Sequence, residues 1–128
     1  MEWIQIETRD GGTAFAPGDT VEGSAGWQLE RDAESIELRL FWYTQGKGDQ
    51  DLEVVEVVTF PTPGLEDRRG FCITLPEDGP VSFSGKLISL LWALEVIAEP
   101  GSRAGRLEIV VSPGGREILL QPEVPGAL

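Results

Sequence analysis

Phe15-Ala16-Pro17-Gly18-Asp19-Thr20-Val21-Glu22-Gly23 and Leu75-Pro76-Glu77-Asp78-Gly79-Pro80-Val81-Ser82-Phe83-Ser84-Gly85 are the stretches on which the fold reading turns. In the first, Pro17 presets its φ and Gly18 accepts a positive one, so the pair makes a tight turn directly ahead of a strand. Gly23 lies inside that strand, where a glycine marks a bulge or the close approach of another backbone, and Gly26 repeats the signal. The second stretch is a loop between two apolar runs. Pro80 cannot donate a ladder hydrogen bond, which confines it to a strand edge or strand start.

Around these stretches the dominant pattern has period two. Val21, Gly23, Ala25, Trp27 and Leu29 share one parity, against Glu22, Ser24, Gly26, Gln28 and Glu30. Ile36, Leu38, Leu40 and Trp42 alternate with Glu37, Arg39, Phe41 and Tyr43. Such alternation marks antiparallel strands with one buried and one wet face. Glu30 to Glu34 is a polar connector, and Gly46 to Asp51 reads as a hairpin loop. From Leu52 to Phe60 the parity breaks: Leu52 and Val54 sit on one side, Val55 and Val57 on the other. A β-bulge or a crossing between sheets explains the switch. Pro61 to Asp67 is a loop. Phe71, Ile73 and Leu75 form a further inward set, and Leu107, Ile109 and Val111 another. Pro113-Gly114-Gly115 is a turn before a last short strand, Ile118 to Leu120.

Lys86 to Glu99 fits two periods. Leu87, Leu90, Leu91 and Leu94 make a helical stripe that Ser84 could cap and Pro100-Gly101 could stop. Ile88, Leu90, Trp92, Leu94 and Val96 are equally an apolar strand face. Turn-separated strands elsewhere in the chain favour the strand.

In order and separation, these elements resemble the amino-terminal domain of arrestin-like proteins. Trp3 to Ile6 is similar to that family's first strand, Phe15 to Gly23 to its Pro-Gly turn and following strand, and Glu37 to Tyr43 to a strand with a partly aromatic wet face. Leu75 to Gly85, closed by Pro80-Val81-Ser82-Phe83-Ser84-Gly85, is the most specific match. The resemblance spans Trp3 to Val111 and also places a long strand after the Ser82-Phe83-Ser84-Gly85 turn. It implies a binding or scaffolding module. Arrestins proper have two such sandwiches in tandem, and this chain has room for one. Arg68-Arg69 is its only adjacent basic pair, so phosphate recognition is not carried over. The expected fold is all-β, an antiparallel immunoglobulin-like or arrestin-like β-sandwich of about 7–8 strands. The expected organisation is a single domain over residues 1–121 with a frayed tail over 122–128.

Composition narrows the function. The chain has 128 residues, enough for one domain with its own core. Its net charge of −12 opposes nucleic-acid phosphates and anionic membrane surfaces. It favours solubility or a basic partner. The single cysteine, Cys72, cannot form an internal disulfide, which points to a reducing compartment. Met1-Glu2-Trp3-Ile4 lacks the basic then apolar pattern of a secretory signal, and Leu87 to Ala98 is too short to span a bilayer. A cytoplasmic protein is therefore expected, and the Gly, Ala, Glu and Arg usage is compatible with a bacterial source.

The sequence contains no histidine. That removes Ser-His-Asp and Cys-His catalysis and histidine-ligated zinc, and one cysteine removes Cys-rich zinc sites. No phosphate-binding loop or dinucleotide fingerprint occurs. Cys72, in an alternating strand, reads as an inert residue. Nothing singles out a carboxylate pair for glycoside hydrolysis. Asp49 and Asp51, and Glu77-Asp78-Gly79, lie in glycine-containing loops, but Val54 stands where an EF-hand needs glycine, and solvated turns account for them. No enzyme, catalytic residue, metal or cofactor is expected. The remaining clue is aromatic residues of outward parity: Trp3, Phe41 and Tyr43 are the candidate partner-binding residues. The expectation is a protein partner, or self-association through a sheet edge. The alternative is a sandwich binding sugar or calcium through Trp3 or the acidic loops.

Overall fold

The structure is a computed structural model that describes residues 1–48 and 50–113 and the backbone of 118–119. Asp49, Gly114-Gly115, Leu120 and the expected tail over 122–128 lie outside the described residues. The strands are β1 (Trp3–Thr8), β2 (Ala14–Phe15), β3 (Thr20–Gln28), β4 (Ser35–Gly46), β5 (Leu52–Thr59), β6 (Glu66–Thr74), β7 (Phe83–Ser84), β8 (Ile88–Glu99), β9 (Arg103–Val111) and β10 (Ile118–Leu119). Seven have six residues or more, and β2, β7 and β10 are two-residue pairings. A 3-10 turn, Arg9–Gly11, follows β1.

The strands form two sheets. The smaller has the order β1-β3-β6 and is antiparallel. In the larger, β5, β4 and β8 lie side by side, and the far edge of β8 is shared by β7 at its start and β9 beyond it. β2 adds to β9 in parallel, and β10 adds to β7 in parallel. The stretch with two possible periods is thus a strand from Ile88 to Glu99, paired along its length with β4.

Inward parity fills the space between the sheets. Val21, Ala25, Trp27, Phe71 and Ile73 face Ile36, Leu38, Leu40, Trp92, Leu94 and Val96, all buried in one cluster. An all-β sandwich follows directly from the alternation. The parity break in β5 is a bulge: Leu40 opposes Glu56 and Phe41 opposes Val54, so Val55 is the extra residue. The bulge turns Val55 and Val58 onto the core while keeping Leu52, Val54 and Val57 on the outer side.

At one margin the two sheets close together. A Cβ on Gly105 of β9 would run into the carbonyl of Ile4 in β1. Gly23 is equally constrained, since a Cβ there would meet the carbonyl of Glu7 and the ring of Phe71. Both are close approaches of a neighbouring strand's backbone, the reason expected for a strand glycine at position 23.

The two decisive stretches meet at one end of the sandwich. Gly18 has φ 87°, and the amide of Asp19 donates to the carbonyl of Ala16 at 3.0 Å, while its carboxylate accepts from the Ala16 amide at 2.8 Å. The carbonyl of Asp19 then accepts the amide of Leu75 at 2.8 Å. A Cβ on Gly18 would lie 3.1 Å from Cγ of Glu77. Further along the second stretch, buried Ser82 exchanges two hydrogen bonds with Val111: its amide donates to the Val111 carbonyl at 2.7 Å, and its Oγ accepts the Val111 amide at 2.9 Å. The loop therefore supplies a strand-like partner to the end of β9.

Candidate functional site

Phe41 and Tyr43 lie on the outer face of the larger sheet, side by side with ring centroids 5.8 Å apart. Phe41 opposes Ala93 on β8, whose small side chain leaves room above it. The Arg106 guanidinium of β9 reaches across that gap, 5.1 Å from the Phe41 ring centroid and 5.5 Å from that of Tyr43. Arg106 is held there by Glu95 at 3.4 Å. Phe41 is consequently only 3% exposed. The expectation of an exposed Phe41 is corrected: its parity is outward, but a neighbouring side chain covers it. Tyr43 is half-buried, its hydroxyl 3.5 Å from a Glu108 carboxylate oxygen.

Trp3 lies on the opposite side of the molecule, on the outer face of the smaller sheet. Its indole N–H donates to Gln28 Oε1 at 3.0 Å. Its ring edge and the Arg68 guanidinium sit over Gly26, close enough to touch a Cβ placed there. Trp3 therefore does not join Phe41 and Tyr43 in one patch. The same face carries a shallow cleft of about 680 Å³, lined by Glu7, Arg9, Glu22, Ser24, Gly70 and Cys72 among others. Its charges are paired, Arg9 with Glu22 at 2.8 Å, and Cys72 is exposed within it.

The outer face of the larger sheet holds residues that the sequence reading did not single out. Leu52 opposes Tyr43, Val54 opposes Phe41 and Val57 opposes Arg39. These three are 63%, 42% and 45% exposed. They make an apolar row along β5, and among the described residues β5 pairs with β4 alone. The signal for this row was the parity break itself: valines on both parities cannot all reach one core. The bulge puts Glu53 and Glu56 on the other side of the sheet, both exposed, and Glu53 accepts the Trp42 indole N–H at 3.2 Å.

Among the described residues, two carboxylates have ionisation displaced by their surroundings. Asp67 is held below the usual aspartate value by the Arg68 backbone amide and by the Arg69 side chain, at 2.8 and 2.9 Å. Glu2 is lowered by the Glu30 backbone amide and then by Arg103, each at 3.1 Å. Both arrangements fasten loops to strands. Asp51 of the acidic hairpin loop is engaged through its backbone with Thr44, and Glu77 packs against the Pro17-Gly18 turn. Among the described residues, no three His, Cys, Asp or Glu side chains are grouped to hold a metal ion.

These features define an all-β sandwich with an exposed apolar row along one sheet edge. Among solved structures the chain is similar to Spo0M, a sporulation control protein from Bacillus subtilis, with a TM-score of 0.62 and 19% sequence identity. The match covers 87% of this chain and 49% of that one, so this chain spans about half the length of Spo0M. At that identity the likeness is one of fold. No family model matches the chain, and no curated protein matches it. No helix among the described residues is long and apolar enough to cross a membrane.

Proposed function

We propose that this chain is a non-enzymatic protein-interaction module of arrestin-like type, a single domain working in the cytoplasm. The observation that carries the reading is the row Leu52, Val54 and Val57, exposed beside Tyr43 on a strand whose second edge has no pairing partner among the described residues. Contiguous exposed apolar surface is costly in water and is usually covered by a partner. A long, open edge strand is also a standing template for another chain. The similarity to a protein described as a sporulation control protein is compatible with a regulatory rather than a chemical task.

The test is affinity capture with the tagged chain from its native host, alongside a Leu52→Ser, Tyr43→Ser variant. Phe41 is left intact because its burial would make substitution a folding lesion. A protein retained by the wild type and lost by the variant supports the reading. Identical, empty captures from both would count against it.

A further inference from the structure

We propose that the free edge of β5 receives an extended strand from a partner in which apolar residues alternate with Lys or Arg. This rests on the interaction-module reading and names the partner's chemistry and the place where it binds. The argument starts from parity. Leu52, Val54 and Val57 point to the outer side of the sheet, opposite Tyr43, Phe41 and Arg39. Glu53 and Glu56 lie on the other side, opposite Trp42 and Leu40. A strand added to β5 that passes over the bulged Val55, as β4 does, alternates in step with these residues. Its outer residues extend the row formed by Leu52, Val54 and Val57, and apolar side chains match that surface. Its other residues fall beside Glu53 and Glu56, where cationic side chains match.

The charge pattern also selects among occupants. β5 carries two glutamates and no basic residue. Glu56 makes no ion pair among the described residues. A second copy of the chain, pairing β5 with β5, would crowd four carboxylates onto one seam without a cation from either strand. The net charge of −12 on each copy adds to that repulsion. A basic strand removes the conflict, with backbone hydrogen bonds supplying affinity and the alternating side chains supplying selectivity. Of the two edge strands of the smaller sheet, β1 lies against Gly105 of β9, and β6 carries Arg68 and Arg69 and lacks both the apolar row and the acidic bias.

The experiment is fluorescence anisotropy of a labelled, end-capped peptide alternating valine and lysine, eight residues long to match β5. It is titrated with the full chain at moderate salt. The expected result is binding by the wild type, weakened about tenfold or more in the Glu53→Lys, Glu56→Lys variant. That variant should instead favour the same peptide with glutamate in place of lysine. A valine–lysine peptide N-methylated at alternate amides keeps its charge and loses edge pairing, and it should not bind. Because both glutamates are exposed, the variant should fold, which circular dichroism checks.

Absence of binding by the lysine peptide overturns the proposal. So does equal binding of the N-methylated peptide, or equal binding by the charge-reversed variant. Sedimentation of the wild type alone adds an arm: a dimer abolished by Val57→Lys would assign the edge to a second copy and overturn the basic-strand proposal. A host protein captured equally by wild type and charge-reversed variant would leave the interaction-module reading standing and overturn the edge as its site.

Discussion

The indole N–H of Trp92 donates to the carbonyl of Pro80 at 2.9 Å. Trp92 is the fully buried centre of β8, and Pro80 belongs to the loop that closes the end of the sandwich. On the other sheet, Trp27 donates to the carbonyl of Pro63 at 3.3 Å. Each core tryptophan thus fixes a connection over the apolar interior, with its ring packed and its one donor satisfied. Trp92→Phe keeps most of the apolar volume but strands the Pro80 carbonyl, and should cost about 1–3 kcal/mol. Urea unfolding of the variant checks this; a midpoint equal to wild type would mean that the bond contributes nothing net.

Glycine placement makes a sharper contrast. Gly23 and Gly105 each face a neighbouring strand's backbone, whereas a Cβ on Gly12 would touch nothing. Gly12 has φ −72°, which alanine adopts freely. Gly12→Ala should leave stability unchanged or raise it by up to about 1 kcal/mol. Gly105→Ala must push β1 away from β9 and should cost about 1–3 kcal/mol or more. Thermal melts of the two variants should move in opposite directions or differ by several degrees.

Much of this architecture was legible in the chain. Alternation at Val21 to Leu29 and at Ile36 to Leu40 gave the inward faces, because a period of two permits no other buried face. The break at Leu52 to Val57 announced an irregularity, and its resolution as a bulge at Val55 required knowing which residues of β4 stood opposite. What periodicity could not carry was coverage. Phe41 has outward parity, and only the pairing of β8 with β9 brings Arg106 over it. Likewise Trp3 shares a parity class with Tyr43 but sits on the other sheet, so the three aromatic candidates do not form one surface. The contact of Gly18 with Glu77 depends on β3 pairing with β6, a long-range register that no local pattern encodes.

Phe41 and Leu52 are neighbours on one face with opposite expected roles. Phe41→Ala removes a ring packed under Arg106 and beside Tyr43, and should cost about 3 kcal/mol. Leu52→Ala removes a side chain that is mostly in water and should change stability by about 0.5 kcal/mol or less. Guanidinium titrations of both variants test the assignment of Phe41 to the fold and of Leu52 to the surface. A Phe41 variant as stable as wild type would return that residue to the list of candidate contact residues.

Asp67 links a loop, a strand and the core through one carboxylate. Its two oxygens accept from the Arg68 amide and the Arg69 guanidinium, and Arg69 in turn donates to the carbonyls of Pro61 and Thr62 while lying 5.8 Å from the Trp27 ring centroid. The ionised carboxylate orients the arginine that clamps this loop above Trp27. Because folding lowers the Asp67 pKa, its stabilisation is fully present above the unfolded aspartate value. It is lost as pH falls through the lower, folded value. Asp67→Asn should therefore be less stable than wild type at neutral pH, with the difference closing in strong acid. Urea midpoints across an acid series measure the gap, and the Asp67 carboxyl carbon shift followed by NMR measures the folded pKa directly. An Asp67 that titrates at the ordinary aspartate value, or a gap that persists unchanged into acid, would show that Arg69 holds the loop without it.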